Sequence, residues 1–303
     1  MSSRFAGLVG FCAWLVASVA GAQSGTPVIG PNSDFPDANL VMPFDASTNH
    51  DTFFSITNVD SIQVTNTWVF YDESGQTLAS VDRDIPGNGG TDVVDPLSVR
   101  TRSIDSNGQV TEGNPQSLAG SRGFVVVQGP GDGIDRLLGN FTIANTATGS
   151  AFGANATGLG AIGTVQQGDF IIGTTFNPTT LQDSELIVVA LNVPNITSLT
   201  NGAAPPAQPL MVVSLSLDSN SGQLATNDVN VNGSALFSSL PNLFPGASLN
   251  ISATISAIAT EGPGYSGTSF DPDADQDLGI IGWYGEAVGQ FGAAQSLRTI
   301  SSP

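Results

Sequence analysis

Met211-Val212-Val213-Ser214-Leu215-Ser216-Leu217-Asp218 is the stretch that decides the fold class. Met211, Val213, Leu215 and Leu217 recur at every second position, and Ser214, Ser216 and Asp218 lie between them. Side chains on an extended strand point alternately to opposite faces, so one set meets a core and the other meets water. A helix would scatter both sets around its circumference. Leu249, Ile251, Ala253, Ile255 and Ala257 alternate with Asn250, Ser252, Thr254 and Ser256 in the same way. Further strands are expected over 52–58, 64–71, 123–128, 137–143, 185–192 and 279–284. One stretch departs from this rule: Leu236, Leu240, Leu243 and Phe244 have helical spacing, and Pro241 limits any helix there to a turn or two.

Between these runs the chain is punctuated by turn formers, with 36 Gly and 18 Pro among 303 residues, which predicts many short strands and an all-β fold. Charge narrows the partners. The 26 acidic residues face 7 basic ones, all Arg, for a formal charge of −19. Nucleic acids and anionic lipid surfaces bind proteins that replace their counterions with Lys and Arg, so neither class is expected as a partner. Residues 1–22 read as a secretory signal: Arg4, an apolar stretch from Phe5 to Ala20, and a small-residue exit at Ala20-Gly21-Ala22. That apolar stretch is short for a spanning helix, so cleavage before Gln23 and no membrane insertion after export are expected. Cys12, the only cysteine, leaves with the signal, and disulfides and thiolate metal sites are excluded from the remainder. Bulky Phe11 before Cys12 speaks against a lipoprotein.

Self-comparison shows landmarks repeated in order. Asn58-Val59 matches Asn192-Val193, and Tyr71-Asp72-Glu73-Ser74-Gly75-Gln76 matches Leu217-Asp218-Ser219-Asn220-Ser221-Gly222-Gln223. Pro96 then matches Pro241, Leu137-Leu138-Gly139 matches Ile280-Ile281-Gly282, and Phe152-Gly153-Ala154 matches Phe291-Gly292-Ala293. Pairs rich in Gly arise by chance, but their collinearity points to an internal duplication. The expected organisation is a signal over 1–22, a linker over 23–38, and two β-sandwich domains over 39–165 and 166–303, each of ordinary domain size. A membrane barrel is the rival, but aromatics are only 7% of the chain, too few for its interfacial girdles.

This order of strands, turns and glycine pairs resembles tandem immunoglobulin-like or fibronectin-like β-sandwich modules of secreted bacterial proteins of unknown function. The resemblance covers residues 39–158 and 184–300. It implies an architecture and an extracellular setting, and it carries over no catalytic residue.

The strongest chemical signal is Asp271-Pro272-Asp273-Ala274-Asp275-Gln276-Asp277. Alternating carboxylates in a loop can converge on one hard cation, so Asp271, Asp273, Asp275 and Asp277 are the candidate calcium ligands. Gln276 stands where such loops need a sharp Gly turn, and Gly282 where they carry a bidentate Glu. A solvated acidic loop is the alternative. Gly129-Pro130-Gly131 precedes Asp132 and Asp135 much as Gly262-Pro263-Gly264 precedes this cluster, so the two loops occupy matching places. Trp283, Tyr284 and Glu286 form the second candidate site, two aromatics and a carboxylate suited to sugar binding or hydrolysis; packing in a core is the plainer reading. His50, the only histidine, lies beside Asp51 and reads as a turn residue; no Gly-x-Ser-x-Gly elbow occurs. The expected function is a secreted, non-catalytic structural, adhesive or ligand-binding protein, calcium-stabilised, meeting a cell-surface or extracellular polymer. The alternative is a carbohydrate-binding or glycoside-active protein.

Overall fold

The computed structural model describes residues 36–94, 99–104, 110–116, 118–159, 169–172, 184–192, 197–200, 207–219, 222–246, 253–264, 278–288, 291–296 and 298–300. All but one turn of the regular structure there is strand, and every pairing is antiparallel. The first half holds β1 (Asn39–Asp45), β2 (His50–Asn58), β3 (Val64–Asp72), β4 (Thr77–Ile85), β5 (Gly90–Val94), β6 (Val99–Ile104), β7 (Val110–Gln116), β8 (Arg122–Gln128), β9 (Leu137–Asn145), β10 (Ser150–Asn155) and β11 (Thr157–Gly158). The second holds β12 (Asp169–Ile172), β13 (Glu185–Asn192), β14 (Thr197–Ser198), β15 (Met211–Ser219), β16 (Gly222–Val231), β17 (Ala235–Ser238), α1 (Leu240–Leu243), β18 (Ala253–Glu261), β19 (Leu278–Val288), β20 (Phe291–Ser296) and β21 (Arg298–Ile300). Helix α1 is one turn with Pro241 in its first positions, as its spacing requires.

The quoted stretch behaves as its alternation demands. Met211, Val213, Leu215 and Leu217 are buried along β15, and Val212, Ser214 and Ser216 are only partly covered. In β3 the same rule turns Trp68 and Phe70 inward, where Phe54 from β2 meets Trp68 edge-on at 6.0 Å and Phe44 from β1 meets Phe70 at 5.9 Å. The ring of Phe54, which also lies 6.2 Å from Phe70, joins two sheets face to face: β11-β1-β8-β3-β4 over β10-β9-β2-β5.

In the second half the order β21-β12-β18-β15-β16 faces β20-β19-β13, with β17 and β14 both paired to β13. Taking β12, β13, β15, β16, β17, β18, β19, β20 and β21 in place of β1, β2, β3, β4, β5, β8, β9, β10 and β11, each neighbour relation is the same. A bulge recurs too. Phe70 pairs Ala79 but Tyr71 pairs Thr77, and Leu217 pairs Ala225 but Asp218 pairs Gln223, leaving Leu78 and Leu224 as the extra residues. The register also revises one sequence match. Asn58 pairs Leu137 while Asn192 pairs Leu278, so Leu278, two residues before Ile280, is the counterpart of Leu137. A shift of two keeps the same face, so the apolar pattern alone does not distinguish the two alignments.

The strand order departs from an immunoglobulin sandwich, where the first two strands share a sheet. Here β1 lies between β8 and β11, and β2 lies in the facing sheet. The crossing is built by hydrogen bonds: the Thr52 hydroxyl donates to the Asp45 carbonyl and accepts from the Asp45 N–H, both at 2.8 Å, and the Asp45 carboxylate accepts from the Ser47 N–H. These bonds turn the chain from one layer into the other instead of closing a hairpin.

No described strand pairs across the two halves, yet their apolar interiors are continuous. Strand β13 is buried on both faces: Leu186, Val188 and Ala190 enter the second core, and Ile187, Val189 and Leu191 join the first. Strand β10 lies along β19 and β20 at this seam. Phe152 seats its ring where a Cβ on Gly285 would stand, with ring carbons from 2.4 Å, so only glycine fits there. The β3–β4 turn also plugs into the seam: the Ser198 hydroxyl donates to the Gly75 carbonyl at 2.7 Å, Thr200 donates to the Ser74 carbonyl, and the Ala235 N–H donates to the Glu73 carbonyl.

A candidate functional site at the seam

The loop with Asp271, Asp273, Asp275 and Asp277 lies outside the described residues. Its counterpart in the first half finds its counter-charge within the protein. Arg136, 1% exposed, pairs with Asp132 and reaches Asp60 at 3.7 Å. Among the described residues no group of three or more His, Cys, Asp or Glu is placed to hold a metal ion.

Trp283 and Tyr284 lie on β19, where strand alternation sends them to opposite sides. Trp283 is wholly buried at the seam, 5.8 Å edge-on to Phe141, and its indole N–H donates to the Asn155 carbonyl at 3.3 Å. Tyr284, 2% exposed, packs in the second core. Neither ring offers a face to a sugar, because each fills a core position. Glu286 follows on the same strand, opposite Ala293 of β20.

His50 begins β2 with Nδ1 3.2 Å from the Thr48 carbonyl, 3.5 Å from the Ser47 hydroxyl and 3.8 Å from Asp45. Ser47, His50 and Asp45 have the composition of a hydrolytic triad but not its wiring. A triad places the nucleophile on one ring nitrogen and the acid on the other, whereas here both lie at Nδ1.

The same residues form the wall of a cavity of about 270 Å³, shared by both halves. Asp45, Ser47, His50, Arg122, Asn145 and Ser150 come from the first half, and Ser184, Glu185 and Ser239 from the second; Ile143 and Phe152 add apolar surface. The β1–β8 register brings Asp45 opposite Arg122. Arg122 ion-pairs with Glu73, reaches Glu185 at 4.0 Å, and lies over the Phe237 ring at 5.1 Å. One guanidinium thus serves Glu73 and Glu185, while the Asp45 carboxylate lies 3.8 Å from His50. Burial pushes Glu185 up to about 7, the charge of Asp45 adds to this, Arg122 opposes it, and Glu73 raises it further. Burial likewise raises Glu73 above the usual carboxylate range, against the pull of Arg122.

Sequence reasoning did not assemble this cluster, since its members stand far apart in the chain. One signal was present: Glu and Arg are rare here, and two of the five Glu residues meet one of the seven Arg. Fold and cleft together define an all-β protein of facing antiparallel sheets, with a polar cleft where its two halves meet. No protein-family model, no curated protein and no solved structure matches the chain.

Proposed function

We propose that the chain is an exported, non-catalytic structural or ligand-displaying protein built from two β-sandwich units of common origin. The observation that carries this reading is the position-by-position agreement of strand order in the two halves, down to the bulge after Phe70 and after Leu217. Two copies locked along a shared apolar seam make a rigid body that presents its end loops, the ordinary use of a sandwich in recognition. The aromatic residues Trp283 and Tyr284 that carbohydrate chemistry would recruit are spent on packing, and the Nδ1 of His50 meets both Ser47 and Asp45. Export is tested by N-terminal sequencing of the protein produced with its own leader; the expected first residue is Gln23, and an uncleaved leader would refute it. The calcium proposal rests on Asp271, Asp273, Asp275 and Asp277. Unfolding midpoints with calcium and with chelator are expected to differ, and identical curves would remove it.

A second reading is favoured by the seam cleft. Its hydroxyls, carboxylates and Arg122 beside an apolar patch have the make-up of a pocket for a polyhydroxylated ligand such as a short glycan. A broad panel of soluble glycans and insoluble polysaccharides separates the two: saturable binding lost in Ser184→Trp supports the second, and no binding leaves the structural reading.

A further inference from the structure

We propose that the seam cleft is a proton-operated joint: Glu185 of the second half closes against Asp45, Glu73 and Arg122 of the first when protonated, and loosens that end of the seam when ionised.

The charges of the cleft make the case. Glu185 stands at the start of β13, between Ser184 and the strand whose two faces are both buried. Facing it are Asp45 at the end of β1, His50 at the start of β2, Glu73 in the β3–β4 turn and Arg122 at the start of β8. Arg122 is committed to Glu73, and at 4.0 Å it gives Glu185 an ion pair without a close hydrogen bond. With all three carboxylates ionised, Arg122 is shared by Glu73 and Glu185 in a partly buried space, and the charges of Asp45 and Glu73 both work against a charge on Glu185. A single proton on Glu185 removes the excess and leaves an O–H that can donate to a neighbouring acceptor. Trp283 and Ile187, which carry no titrating group, hold the seam by packing, so ionisation loosens the cleft and leaves that packing in place.

The direction follows from linkage. The folded value of Glu185, about 7, lies above the ordinary value of 4.5, so the folded protein holds this proton more tightly than the unfolded chain. Stability from this group is full below the ordinary value and is lost as pH rises to about 7. The raised Glu73 acts in the same direction.

The test uses the full chain with selective ¹³C labelling of Glu carboxyls. In the wild type, the Glu185 resonance, assigned by its loss in Glu185→Gln, is expected to titrate at least one pH unit above that of a free Glu. An ordinary midpoint would overturn the proposal. Hydrogen exchange, corrected for its intrinsic pH dependence, is read in parallel over 184–192 and 72–76. Protection there is expected to fall several-fold from pH 5 to pH 8 in the wild type and to fall much less in Glu185→Gln, where only Glu73 still titrates; equal loss in both proteins would overturn it. Salt distinguishes a proton from another cation. If calcium at pH 8 restored wild-type protection to its pH 5 level, the cleft would be a cation site and the proton joint would be wrong.

Discussion

Trp283 and Gly285 alternate along β19 and meet the first half together, one filling space and the other vacating it. Trp283 has no exposed surface, so Trp283→Ala removes a fully buried indole and its hydrogen bond to Asn155. The expected cost is about 3–5 kcal/mol, read as a lower midpoint in chemical denaturation with the denaturant slope kept. Gly285→Ala drives a methyl into the Phe152 ring, and the expected loss is about 1–3 kcal/mol. Phe152→Leu in that background is expected to recover part of it, a coupling that separate, non-touching sites would not show. Gly75 is constrained twice: its φ of 85° suits glycine, and a Cβ there meets the Thr200 and Ser234 hydroxyls. Gly75→Ala is therefore expected to destabilise more than Gly89→Ala, where φ is 82° but the space is open. Comparing the two midpoints separates backbone strain from the plug contact.

At the scale of elements, what the sequence made legible follows from how many faces a strand hides. Strand β15, with one face in the core, alternates in sequence, and its period announces both its conformation and its orientation. Strand β13 reads Glu185-Leu-Ile-Val-Val-Ala-Leu-Asn192, an unbroken apolar run, because both faces are buried. Its sequence announces burial but cannot say what lies on the second face. That missing partner is the seam, and the cleft, assembled from Asp45, Glu73, Arg122 and Glu185 on four separate segments, was hidden with it. The repeated Ser-Gly-Gln turn was legible for the opposite reason. Its residues are local, and the turn sits beside a bulge that leaves Leu78 and Leu224 as matching extra residues. The aromatic pair Trp283-Tyr284 was visible as a cluster, while its burial depended on neighbours from distant strands.

At the scale of the molecule, continuity of the apolar interior across the seam predicts one cooperative unit. Thermal unfolding followed by far-ultraviolet circular dichroism and by tryptophan fluorescence is expected to give one coincident transition. Two separated transitions would show that the halves unfold independently. Only part of this unity is legible in the sequence, since landmarks repeated in order describe two similar units and are silent on how they lie together.

Leu186, Ile187, Val188, Val189, Ala190 and Leu191 are each at most 1% exposed. A ribosome delivers the first half first, and its two sheets use no strand of the second. The second half then meets a partner already made: Ile187, Val189, Leu191, Phe237 and Trp283 are covered by the first half and face water until they reach it. Synthesis order is then part of how this chain avoids aggregation. A circular permutant that begins near residue 184 is expected to yield soluble protein poorly even though every native contact remains available to it.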